Sequence, residues 1–164
     1  MDNRLKCKCG QVELELRGAK PILTALCYCD DCQEAGRRLE ELEGAPPVLQ
    51  EDGGTALVLW RKDRVDVSRG EELIEVHRLR EDSPTDRAVA GCCNTAMYLN
   101  FRKGHWLSIY RRRFVDPPAI EVGIQTRFME GFDEEASEVP TYAKYPLRFI
   151  GRVMKARVAM LLRR

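Results

Sequence analysis

Seven cysteines carry most of the chemistry this 164-residue chain can offer, and they fall into three blocks. Cys7-Lys8-Cys9-Gly10 puts two thiols on a tight turn, where the glycine lets the backbone fold back so that both sulfurs face one ion. Cys27-Tyr28-Cys29-Asp30-Asp31-Cys32 adds three thiols within six residues, the last at the start of a helix whose N-terminal dipole favours thiolate. Gly91-Cys92-Cys93-Asn94 completes the set. Four protein ligands close a structural zinc, whereas a catalytic zinc keeps three and leaves the fourth position to water or substrate. Seven thiols divide naturally into four and three. Neighbouring side chains of an extended chain point to opposite faces, so Cys93 is the first choice as a ligand; Cys92 joins it if Gly91 and Asn94 adopt a left-handed turn. The competing reading, an ordinary buried cysteine acting as a small apolar residue, weighs most at Cys92 and least in the C-x-C and C-x-C-x-x-C clusters.

Other residue types offer less. Asp30 and Asp31 flank the second block and could manage a proton, but aspartates at a helix start more often serve as caps. His77 falls on an expected strand and His105 beside a turn, and a lone histidine is more often structural than a ligand. Arg111, Arg112 and Arg113 could receive carboxylates through their guanidinium forks, although a solvated charge run is the simpler reading.

The elements that must position the thiols are mostly strands. Gln11 to Arg17 alternates Val12, Leu14 and Leu16 with polar residues, the period of a half-buried strand. Ile22 to Leu26 leads into the second cysteine block, and Asp31 to Glu43 carries Ala35, Leu39 and Leu42 at helical spacing until Gly44-Ala45-Pro46-Pro47 stops it. Thr55 to Trp60, Leu73 to Leu79, Ala96 to Phe101 and Trp106 to Tyr110 read as further strands, and Asp133 to Thr141 as a loop. From Pro146 a final helix places Leu147, Ile150, Met154, Val158 and Leu161 on one face and Arg148, Arg152 and Lys155 on another. Its expected role is to pack on the domain through that apolar face; a membrane surface or a dimer partner is the alternative. The expectation is one mainly β zinc domain over residues 1–139, with residues 140–164 as a helix packed on it.

Composition sets the surroundings. The 27 basic and 26 acidic residues nearly cancel, so no general field draws in nucleic acid. No stretch approaches the roughly 18 apolar residues a membrane span needs, and the N-terminus lacks a secretory pattern. A cytoplasmic address follows as an expectation, and there an odd number of thiols stays reduced and calls for metal binding or thiol chemistry.

The three blocks resemble those of the glutathione-dependent formaldehyde-activating enzyme family, whose zinc domain also occurs in a centromere protein and has a β-tent fold. That family runs C-x-C-G, C-x-C-x-x-C and C-x-x-C-G-[S/T]. Here the first two are intact, and the third reads Ala90-Gly91-Cys92-Cys93-Asn94-Thr95, with Ala90 where the family's first cysteine belongs. The resemblance spans Cys7 to Phe101 and marks a divergent branch with a Cys-Cys pair. It implies two zinc ions per chain: a structural one on Cys7, Cys9, Cys93 and the substituting Cys92, and an exchangeable one on Cys27, Cys29 and Cys32. The implied activity is condensation of formaldehyde with glutathione to S-hydroxymethylglutathione, a carbon-sulfur lyase reaction in which Cys27, Cys29 and Cys32 form the catalytic site. A small thiol such as glutathione is then the partner, and a homodimer is compatible with the chain. A non-catalytic zinc-stabilised binding module is the alternative, and a thiol-redox or metal-handling protein the third reading.

Overall fold

The cysteine blocks lie at the ends of short strands. A computed structural model describes residues 3–18, 20–135 and 137–162 of the chain. In chain order the elements are β1 (Arg4–Lys6), β2 (Glu13–Leu16), β3 (Leu23–Cys27), α1 (Asp30–Glu40), β4 (Thr55–Arg61) and β5 (Val65–Arg69). There follow β6 (Ile74–His77), β7 (Thr85–Ala90), β8 (Thr95–Phe101), β9 (Trp106–Tyr110), β10 (Val122–Ile124), β11 (Thr141–Tyr142) and α2 (Leu147–Leu161). The protein is mainly β, with one helix directly after the Cys27–Cys32 cluster and one at the C-terminal end. The expected strands are present as β2, β3, β4, β6, β8 and β9. β6 is shorter than expected because Glu71–Leu73 winds into a single 3-10 turn. α1 stops at Glu40 instead of Glu43, its end unwinding through turns at Leu42 and Ala45 to Gly44 at φ +69°.

The strands form two sheets. One has three strands in the order β1-β2-β5; the other has eight, in the order β11-β10-β3-β4-β9-β8-β7-β6. Most pairs are antiparallel, but β10 runs parallel to β3 and to β11. β4 lies inside the large sheet with all seven residues buried, as its continuous apolar run requires. Its side chains alternate between two cores. Val58 and Trp60 meet Leu5, Leu14 and Leu16 of the small sheet, while Leu57 and Leu59 meet Leu39 of α1 and Val153 of α2. Cys7, Cys92 and Cys93 pack with the first core and Cys27, Cys29 and Cys32 with the second. The large sheet therefore stands between the two thiol groups.

Contact between α2 and the sheet is made by Phe149, Val153 and Ala156. Leu147, Ile150, Met154, Val158 and Leu161, the face expected to pack inward, are all exposed, with Leu147 at 86%. The helix is apolar on more than one side, so its own pattern does not decide which side docks. His105 helps decide it: buried beside Trp106, its Nε2 donates to the Val153 carbonyl at 2.8 Å. Among the described residues no helix is long and apolar enough to cross a membrane.

Candidate metal centres

All seven cysteines are free thiols, and their sulfurs gather into two groups. The four-residue group unites Cys7 and Cys9, on the turn between β1 and β2, with Cys92 and Cys93, on the turn between β7 and β8. Gly10 at φ +78° closes the first turn and donates its N–H to the Cys7 carbonyl at 3.0 Å. Asn94 at φ +51° shapes the second, where the Cys93 N–H donates to the Ala90 carbonyl at 3.1 Å. The turn from Ala90 to Cys93 takes the pair out of extended geometry, so both neighbouring sulfurs reach one side: Sγ–Sγ is 3.9 Å for Cys92–Cys93, 3.9 Å for Cys7–Cys92, 3.4 Å for Cys9–Cys92 and 3.6 Å for Cys7–Cys9. Four thiolates about 2.3 Å from a tetrahedral zinc would stand about 3.8 Å apart. The donor set fits that ion, with Cys92 included.

Outer groups steady the cluster. The Val12 N–H donates to Cys7 Sγ at 3.3 Å, and the Thr95 hydroxyl lies 3.1 Å from Cys93 Sγ while accepting from the Lys8 N–H. Burial works against the Cys93 thiolate, but hydrogen bonds from Thr95 and Cys9 outweigh it and bring the group down to about 6. Burial pushes Cys7 and Cys92 upward.

The three-residue group is local. Cys27 ends β3, where it is paired with Thr55 of β4 and Ile124 of β10. Cys29, extended at φ −66° and ψ 152°, occupies the N-cap of α1, and its carbonyl accepts from the N–H groups of Cys32 and Gln33. Cys32 is buried in the first turn. Asp30 and Asp31 lie in that turn too, but no side chain caps the helix, so the expected capping role is not the one they take. The three sulfurs lie within 4.8 Å of one another, with Cys27 donating to Cys29 at 3.5 Å. Hydrogen bonds from Cys27 and Cys32 hold the Cys29 thiol down at about 3. The same contact with Cys29 pushes Cys27 up to about 12, and its thiol neighbours push Cys32 in the same direction. Three donors, with no fourth from the described residues, match an ion that keeps one position free.

The trio opens on a cleft of about 540 Å³ between the large sheet and α2. Its wall is largely apolar. Arg87 of β7 and Tyr145 before α2 are among its few polar members. Burial, and then the neighbouring thiolates, raise the Tyr145 phenol to about 12, so it keeps its proton at neutral pH. Neither residue stood out in the sequence. The run singled out there lies elsewhere: Arg111 and Arg112 donate to the carbonyls of Pro118 and Leu49, and Arg113 is partly buried near Cys7 and Cys93. His77 faces Glu75 on β6, and His105 binds α2, so neither joins a thiol group.

These features define a class: a mainly β protein with two metal-competent thiol clusters, one closed by four cysteines and one left open with three. Residues 3–42 match the family model described as glutathione-dependent formaldehyde-activating enzyme, and over that segment, which carries the first two cysteine blocks, the chain is similar to that family. No curated protein matches the sequence. Among solved structures, the crystal structure of a Rhodobacter sphaeroides protein is similar in fold, with a TM-score of 0.50 and 16% identity over 85% of this chain and 99% of that one.

Proposed function

We propose that the protein carries two zinc ions, a structural one in the four-cysteine cluster and an exchangeable one at Cys27, Cys29 and Cys32, where it joins and parts a small thiol and an aldehyde. The observation that carries this reading is the contrast between the clusters: four sulfurs close on themselves, whereas three face a cleft. A zinc held by three thiolates supplies an open position that ionises a bound thiol or polarises an aldehyde oxygen. The chain's own groups do the rest. Helix α1 fixes Cys29 and Cys32 one turn apart, β3 fixes Cys27, the apolar wall excludes water, and Tyr145 presents a protonated hydroxyl. The reaction class is that of a carbon-sulfur lyase acting on a glutathione or small thiol–aldehyde adduct.

Calorimetric titration of the zinc-loaded protein with glutathione tests the site. Binding should be measurable and should vanish in Cys29→Ser, while NMR exchange with formaldehyde should exceed the spontaneous rate little. Absence of thiol binding would leave a zinc-stabilised binding module in its place.

A further inference from the structure

Arg87 is 2% exposed and lines the cleft beside Cys29 and Cys32. Its Nη2 donates to the Asp31 carbonyl at 3.1 Å, but Nε and Nη1 are buried with no hydrogen-bond partner among the described residues. Buried donors are rarely left unmade, because removing them from water without a new acceptor is costly. The charge itself has an answer, since a divalent ion held by Cys27, Cys29 and Cys32 as thiolates would carry one net negative charge. The hydrogen bonds do not. An oxygen acceptor brought into the cleft against Arg87 would answer them.

The remaining wall says what that oxygen is attached to. Leu57, Leu99, Phe101, Trp106 and Ile124 surround a volume within the roughly 300–1,000 Å³ of sites that take drug-sized organic molecules. Formaldehyde would leave almost all of it empty. Glutathione brings two carboxylates, an ammonium and two peptide groups, most of which would lie unanswered against apolar side chains. An apolar body with a single oxygen beside its sulfur meets both demands.

We propose that the substrate of the trio is the adduct of a thiol with an aldehyde bearing an aryl or bulky alkyl group, its reacting oxygen held by Arg87. This rests on the open-site reading above and narrows it. In the forward direction a sulfur lone pair forms the C–S bond and the C=O π pair moves onto oxygen. Arg87 donates to that oxygen, and the proton lost by the thiol ends there. In reverse the O–H proton leaves, the C–S bond breaks, and aldehyde and thiol are restored.

Stable probes test this without turnover. The zinc-loaded protein is titrated with phenylethanethiol, with its β-hydroxy counterpart and with glutathione, and thiol coordination is read separately from the charge-transfer bands of the cobalt-substituted form. The hydroxy-thiol should bind about tenfold tighter than the deoxy probe, as one hydrogen bond from a charged donor implies, and both should bind tighter than glutathione. Arg87→Met should erase the hydroxyl advantage and leave the sulfur bands intact. Should that variant not fold, Met154→Ser at the cleft rim should weaken both aryl probes relative to glutathione. Thiol binding that prefers glutathione and ignores Arg87 overturns the inference alone. Failure of every thiol to produce the bands overturns the open site as well.

Discussion

Within the trio, protons are shared unevenly before any ion arrives. Cys29 sits at about 3, held there by hydrogen bonds from Cys27 and Cys32, while Cys27 is pushed up to about 12 and Cys32 is raised with it. At neutral pH the cluster is one thiolate and two thiols, whereas metal ligation needs every sulfur ionised. Zinc binding to the trio should therefore release two protons per ion, those of Cys27 and Cys32. The sign follows: affinity falls as pH drops, by two protons per ion over the neutral range, and a third enters only near the low value of Cys29. Calorimetry in buffers of different ionisation enthalpy, on protein stripped only of its labile ion, checks the count, and release of three protons would contradict the arrangement. The cysteines of this site were legible because their spacing is itself the signal. Arg87 was not: Thr85 to Ala90 shows no clean alternation, and only its burial in the cleft wall shows that this arginine faces inward.

At the scale of elements, alternation or a continuous apolar run made β2, β3, β4, β8 and β9 legible, and neither was there to read in the shortest or most exposed strands. β2 and β9 alternate and were legible; β1, β10 and β11 have two or three residues each, too few for a period to show. β5 keeps only its valines half-buried and alternates weakly with polar residues. α2 is the instructive failure, because Leu147, Ile150, Met154, Val158 and Leu161 make the more apolar stripe, yet Phe149, Val153 and Ala156 dock. The distinction lies in the sheet, where the cleft roof and the His105 bond to the Val153 carbonyl fix the helix rotation. Val153→Ala should cost on the order of 2 kcal/mol, as loss of buried methyls with an incomplete collapse does. Val158→Ser, on the exposed side, should stay within about 0.5 kcal/mol. Chemical denaturation of the two variants decides which face carries the packing; equal losses would return the role to the exposed stripe.

For the molecule as a whole, the two clusters differ most in what they tie together. Cys7 and Cys92 are 85 residues apart in sequence and join the small sheet's first hairpin to the β7–β8 turn of the large sheet. A cross-link closing a loop of that length removes about 4.6 kcal/mol of unfolded-chain entropy, and structural zinc in small domains contributes on the order of 10 kcal/mol in all. Cys27 to Cys32 spans the end of one strand and the first turn of the next helix, both already held by backbone bonds to β4, β10 and within α1. A link across so short a loop is worth about 2 kcal/mol on the same scale. Brief chelation should therefore remove one zinc per chain, from the trio, without unfolding the protein. Cys9→Ser should unfold or aggregate the chain, and Cys92→Ser should behave like it, because its sulfur lies 3.4 Å from Cys9 and 3.9 Å from Cys7. Cys29→Ser should keep the fold and hold one zinc fewer. Metal content with thermal melting of the three variants reads all of this at once. A Cys29→Ser protein as unstable as Cys9→Ser would mean that the second core needs its own ion, and a Cys92→Ser protein with unchanged melting and two zinc ions would remove Cys92 from the ligand set.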